Sequence, residues 1–279
     1  MTRRRLDVEL VRRGLAPSRE QAHAAIEAGR VLVGGAPATK AARLVDAGEP
    51  IRLVGDGPRF VSRGGDKLEA ALARFAVDVS GAQVLDAGAS TGGFTDCVLQ
   101  RGAAGVVALD VGYGQLHERL RSDDRVHVVE RTNLRHADLG SLGAPFDAVV
   151  ADLSFISLTK VAAELVGACR ADGALVLLVK PQFEAGRREV DRGRGVITDP
   201  VVWTAALVDV MVALTAAGAT IMGAMPSPLT GADGNVEFLV WARRNGAGRP
   251  APEARTSSVG GIAAAAVAEV PPATDGSER

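Results

Sequence analysis

The chain has 279 residues, 47% of them hydrophobic, with a formal net charge of −1 and only two cysteines. Cys97 and Cys169 lack CxxC or Cys/His neighbours, which excludes a disulfide framework and a zinc site and fits a reducing, cytoplasmic setting. The longest apolar run, Met211 to Met225, is broken by Gly218 and Gly223, short of the roughly 20 residues of a bilayer span, and MTRRRLDVEL has no apolar segment behind it to make a signal peptide.

Charge is unevenly spread. Residues 1–60 carry eleven Lys/Arg against seven Asp/Glu, which points to an anionic partner for that end. LDVELVRRGLAPSREQAHAAIEAGRVLVGG reads as helix, turn, helix, strand. Gly14 ends the first helix, Ser18 with Gln21 forms a capping box for the second, and Gly29 closes it. VLV and IRLV then give two short strands. This stretch resembles the small RNA-binding module shared by a ribosomal small-subunit protein, pseudouridine synthases and some RNA methyltransferases. The resemblance implies RNA contacts at Arg4, Arg5, Arg19 and Lys40, where several cations would share one face. The module is expected over 1–56, with GDGPRFVS holding a linker at 57–62.

SRGGDKLEAALARF begins with a glycine turn and continues as an amphipathic helix with Leu68, Leu72 and Phe75 on one face. Lys67 stands in its first turn, against the helix dipole; it is either functional or a surface lysine. VLDAG, GVVALD, VHVVE, AVVADLSF, ALVLLVK and EFLVWA then read as strands separated by helical stretches, which predicts an α/β, mostly parallel sheet covered on both faces. Ligands in such sheets bind beyond the carboxyl ends of the strands. Asp86, Asp110, Asp152 and Lys180 end strands, and Glu237 opens the last one, which in an antiparallel setting starts at the same edge. From about Asn245 to Arg279 periodicity fades, and a disordered tail is expected.

Between the first strand and its helix lies DAGASTGG. It lacks the G-x-G-x-x-G spacing that cradles a pyrophosphate and resembles the first motif of S-adenosylmethionine-dependent methyltransferases. The resemblance implies cofactor contacts at Asp86, Gly88, Ser90, Thr91, Gly92 and Phe94, with Asp110 as the acidic residue after the second strand and Asn133 near the adenine.

Methylating a ribose hydroxyl requires a general base near the 2′-oxygen, and a pair of lysines held by carboxylates can supply one. Lys180 is the candidate base and Lys67 the second cation, with Asp152 and Glu237 orienting them; no metal is required. In their contexts SRGGDKL, ADLSFISL, LVKPQFE and GNVEF these four residues resemble the tetrad of FtsJ-like ribose 2′-O-methyltransferases. Joined to the N-terminal module, they resemble the TlyA family of hemolysin-named ribosomal RNA methyltransferases. The resemblance implies a Rossmann-like class I methyltransferase fold with a seven-stranded type of sheet over 63–244 and S-adenosyl-L-methionine as cofactor. It also implies cytidine 2′-O-methylation of rRNA in one or both ribosomal subunits. Phe155 would stack on an extruded base or else be a core residue, and Arg63, Arg131, Arg135, Arg187 and Arg188 would hold phosphates. Family linkers often place an Arg two residues before a Trp, where this chain has Pro58-Arg59-Phe60-Val61. The other readings are a non-catalytic RNA-binding ribosome-assembly factor and a membrane-lysing hemolysin, the latter disfavoured by the lack of a basic amphipathic segment. A monomer with no membrane partner is expected.

Overall fold

A computed structural model describes residues 3–16, 18–55, 57–185, 195–231, 233–246 and 256–271. The chain divides into two compact units between Pro58 and Arg59.

In the first unit, β1 (Arg4–Arg5) leads directly into α1 (Leu6–Arg12), followed by α2 (Arg19–Glu27), β2 (Val31–Val33), β3 (Ala36–Pro37), β4 (Leu44–Val45) and β5 (Ile51–Leu53). The Ser18 hydroxyl accepts the N–H of Gln21 at 3.2 Å and starts α2 as the capping pattern predicts. β2 is the middle strand of a small antiparallel sheet, between β3 and β5. Leu6, Leu10, Ala22, Ile26, Val31, Val33 and Val45 make the core.

The second unit runs α3 (Arg63–Arg74), β6 (Gln83–Ala87), α4 (Gly93–Gln100), β7 (Gly105–Leu109), α5 (Glu118–Arg121), β8 (Val126–Val129), β9 (Phe146–Ala151), α6 (Ala162–Ala168), β10 (Cys169–Val179), α7 (Pro181–Glu184), α8 (Pro200–Ala216), β11 (Ala219–Pro226), β12 (Phe238–Arg244) and α9 (Thr256–Ala268). Among the described residues its sheet has seven strands in the order β11-β12-β10-β9-β6-β7-β8. The five strands from β10 to β8 are mutually parallel, and β12 is antiparallel to both its neighbours. Two apolar clusters cover the two faces. One includes Leu85, Val149, Leu177, Leu207 and Phe238, and the other Leu68, Leu72, Val84, Val98, Val150 and Leu239.

Three sequence expectations are corrected here. Strand β11 is absent from the six expected: the Met211–Met225 run ends α8, turns at Gly218 (φ +97°) and continues as that strand. The expected disordered tail contains α9, whose Val259, Ala263 and Ala266 are buried against the core of α8 and β11. A run of alanines and valine carries too little polarity contrast to show a helical stripe, yet it packs closely because its side chains are small. The expected linker ends early, because Phe60 and Val61 are buried in the core of the second unit.

Candidate active site

The sheet register assembles the site. Ala87 pairs with both Leu109 and Ala151, Ala151 pairs with Leu177, and Val179 pairs with Phe238. The next residue on each strand therefore lies in one row at the carboxyl edge: Asp110, Gly88, Asp152, then the end of β10 at Lys180 facing Glu237. Backbone bonds continue the register into the loops, with Gly88 N donating to Leu109 O at 2.8 Å and Asp152 N to Ala87 O at 3.0 Å.

Four charged side chains in this row and on α3 form two ion pairs. Lys180 Nζ lies 2.6 Å from Asp152 Oδ1, off the hydrogen-bonding direction, and donates to Ser154 Oγ at 2.8 Å. Lys67 Nζ donates to Glu237 Oε2, with both residues buried. The start of α3 reaches the same place: a Cβ on Gly64 would stand 3.8 Å from Asp152 Oδ2 and 3.5 Å from Phe94. The first turn of α3 thus lies beside Asp152, and Lys67 follows one turn after Gly64 on the same helix.

Beside this row lies a cavity of about 500 Å³, lined by Gly88, Ser90, Asp110, Asn133, Asp152 and Phe155, with apolar walls from Leu109, Val111, Leu134, Leu153, Ile156 and Val161. Its volume suits a nucleoside-sized ligand. Gly88 adopts φ +86° and faces Asp152's carbonyl. Asp110 gathers the two loops that flank the cavity, accepting from Ser90 N at 2.8 Å through Oδ2 and from Gly112 N at 2.6 Å through Oδ1. Each carboxylate oxygen keeps a second lone pair for a ligand. Among the described residues the cavity wall carries the Asp110 and Asp152 carboxylates and no Lys or Arg, an arrangement that suits a cationic sulfonium better than a pyrophosphate. Burial pushes the Asp86 carboxyl up to about 7, opposed by its bond from Thr95 Oγ1 and helped by the nearby Asp152 and Asp110 charges.

The sequence-predicted cofactor residues divide into two groups. Gly88, Ser90, Asp110 and Asn133 line the cavity. The other four lie outside that wall. Asp86 is fully buried behind the loop, Phe94 is core beneath it, Gly92 faces Leu116 and Leu120, and Thr91 is exposed with its carbonyl accepting from His117 N. A strand-end acid and an aromatic in a glycine loop look the same in sequence whether they face the ligand or support the loop.

Several residues expected to hold RNA are surface cations. Arg63, Arg131 and Arg135 are exposed; Arg63 donates to Thr230 O at 2.9 Å, and Arg131 lies 4.1 Å from the centre of the exposed Tyr113 ring. Phe155 is 92% exposed, so it is not a core residue. Arg187 and Arg188 lie outside the described residues. In the first unit Arg4 and Lys40 are exposed, while Arg5 and Arg19 both bond the buried Asp7 carboxylate at 3.0 and 2.8 Å, with His23 Nε2 at 3.1 Å. The Arg5 bond, with Arg19 and His23 adding to it, holds Asp7 well below the usual carboxylate range against the opposing effect of burial. Glu9, also buried, gathers Arg12 and Arg13 in the same way and is lowered to about 2. Sequence reading missed both acids because it weighed them only as charges to subtract. Beneath the arginines they order the basic face instead.

Among the described residues no cluster of His, Cys, Asp and Glu is placed to hold a metal ion, and no helix is long and apolar enough to cross a membrane.

Comparison with known proteins agrees with both units. Residues 60–244 match the FtsJ-like methyltransferase family and residues 4–51 the S4 domain. The 16S/23S rRNA (cytidine-2′-O)-methyltransferase TlyA of Mycobacterium tuberculosis is 50% identical over 242 residues, covering 86% of this chain and 90% of that protein. Hemolysin A of Brachyspira hyodysenteriae is 39% identical, covering 84% of this chain and 98% of the relative. A solved structure of a hemolysin-named protein from Streptococcus thermophilus superposes with a TM-score of 0.73 at 37% identity, covering 96% of this chain and 97% of the other.

Proposed function

Because this chain belongs to the TlyA family, with an S4 domain followed by an FtsJ-like methyltransferase domain, we propose that it methylates the ribose 2′-hydroxyl of cytidine in ribosomal RNA. The methyl donor is S-adenosyl-L-methionine, and the substrate is the rRNA of the small subunit, the large subunit or both, met in the cytoplasm. The observation that carries this reading is the Lys180–Asp152 pair, in which Asp152 forms part of the cavity wall.

Gly88, Ser90, Asp110 and Asn133, which line the cavity, would hold the cofactor, which when bound would supply an electrophilic methyl group with a neutral thioether as leaving group. Lys180, in its amine form, takes the proton from the 2′-hydroxyl. Asp152 and Ser154 fix the direction of its Nζ, and positioning of the hydroxyl in line with the methyl supplies much of the remaining acceleration. Lys67, anchored by Glu237, supplies a positive charge that steadies the oxygen as it loses its proton. Phe155, exposed at the cavity rim, offers a stacking face for the target base. The basic face ordered by Asp7 and Glu9 binds RNA through its phosphates.

Incubation with tritiated S-adenosylmethionine and unmodified ribosomal subunits tests the reading. The unaltered protein labels rRNA at a 2′-oxygen, while Lys180→Ala and Lys180→Arg do not, the latter because a guanidinium cannot give up its proton. Undiminished labelling by either variant overturns the assignment of the base.

A further inference from the structure

The segment Ser154–Leu158 joins the catalytic Asp152 to the core, and it is held from one side by a single short element. Lys180, immediately before α7, donates to Ser154. Phe183 sets its ring 5.3 Å from that of Phe155. Glu184 ends the grip: its Oε2 accepts from Ser157 Oγ at 2.5 Å and its Oε1 from Leu158 N at 2.9 Å. Ser157 Oγ in turn accepts from Thr159 N at 3.1 Å, capping the 3-10 turn Leu158–Lys160, and Leu158 is buried in the core.

This segment needs outside support. Phe155 sits at φ +65° with its side chain 92% exposed, so neither backbone preference nor burial of the ring fixes its place. An aromatic residue in the left-handed region persists only where its surroundings over-determine it. Among the described residues the side chains that hold the segment are those of Lys180, Phe183 and Glu184; Phe183 and Glu184 are absent from both the cavity wall and the two catalytic ion pairs, and of these two only Glu184 hydrogen-bonds the segment.

Resting on the methyl-transfer reading above, we propose that Glu184 is a positioning residue: by clasping Ser157 and Leu158 it sets Phe155 and Asp152 against Lys180 for the reaction. Burial raises the Glu184 carboxyl from its ordinary value, opposed by the Ser157 and Leu158 donors and helped by Asp209. Each carboxylate oxygen takes one hydrogen bond, so the clasp is set by two hydrogen-bonding positions. A glutamine keeps them, with Oε1 accepting from Leu158 N and Nε2 donating to Ser157 Oγ.

The test compares Glu184→Ala, Glu184→Gln and Ser157→Ala in the full chain. Hydrogen–deuterium exchange is read over residues 153–159, S-adenosylhomocysteine binding by calorimetry, and kcat and KM on unmodified ribosomal subunits. Glu184→Ala is expected to speed exchange at Leu158 while β6 and β9 stay protected, and to lower kcat about 10- to 100-fold with S-adenosylhomocysteine affinity changed less than about threefold. Ser157→Ala shows the same pattern more weakly, and Glu184→Gln restores both readouts. Unchanged exchange in Glu184→Ala overturns the clasp, and a Glu184→Gln as impaired as Glu184→Ala overturns the positioning role. If the unaltered protein itself transfers no methyl group, the functional reading fails, and the exchange comparison still decides whether Glu184 holds the segment.

Discussion

Gly88 lies so close to the backbone of Asp152 that a Cβ added to it would stand 2.6 Å from the Asp152 carbonyl oxygen. The first glycine of the loop and the acid that pairs with the candidate base are thus in direct contact, and one cannot shift without the other. Gly88→Ala faces both this contact and φ +86°, a left-handed conformation costing a side-chain-bearing residue on the order of 1–3 kcal/mol. The variant is expected to fold with a lowered Tm and to lose measurable S-adenosylhomocysteine binding in calorimetry. Affinity within a factor of a few of the unaltered protein would show that the loop does not cradle the cofactor.

Asp86 gives the protein a specific dependence on pH. Its carboxyl, pushed up to about 7 by burial, keeps its proton in the folded state between about pH 4 and 7, while the unfolded chain has already lost it. Stability from this group is complete below the unfolded value and is lost as pH rises through the folded one. Asp86→Asn, whose amide oxygen can still accept from Thr95, removes that loss. Thermal unfolding at pH 5 and pH 8 should show the variant gaining on the unaltered protein by about 2–3 kcal/mol across the interval. Identical pH slopes for the two proteins would mean that Asp86 is ionised throughout.

Arg19 reaches Asp7 while its own side chain stays largely in solvent. Under the proposed function, a cation held this way would add to RNA binding through phosphate charge, not sequence. Arg19→Ala is expected to weaken binding to different rRNA fragments alike and to reduce the slope of log affinity against log salt by about 1. A slope that does not change would place Arg19 outside the RNA contact.

Helix α9 lies beyond the residues that match the methyltransferase family. It buries Val259, Ala263 and Ala266 and sets Glu269 2.6 Å from Arg74 on α3. Deleting residues 256–279 uncovers that part of the core and should cost on the order of 3 kcal/mol, read as a lower Tm with cofactor affinity retained. An unchanged Tm would show that the helix adds nothing to the fold.

The sequence by itself determined the alternation of strands and helices, because apolar periodicity and glycine punctuation are local properties. It also marked Asp86, Asp110, Asp152, Lys180 and Glu237 as strand-end charges, since an ionisable residue abutting an apolar run is visible without knowing its neighbours. β11 escaped because Gly218 and Gly223 break the apolar run into pieces too short to show strand alternation, and the change from α8 to strand rests on one turn at Gly218. α9 escaped because small apolar side chains give almost no periodic signal.

Only the tertiary structure decided which charges meet. Lys67 and Glu237 are 170 positions apart and Asp152 and Lys180 are 28 apart; sheet register and the close approach of α3 at Gly64 bring them to one edge. The same holds for burial. Asp86 and Asp110 are alike in sequence, yet one is sealed behind the loop and the other faces the cavity. The side on which a strand-end carboxylate finishes depends on the packing of distant elements, which no local spacing records.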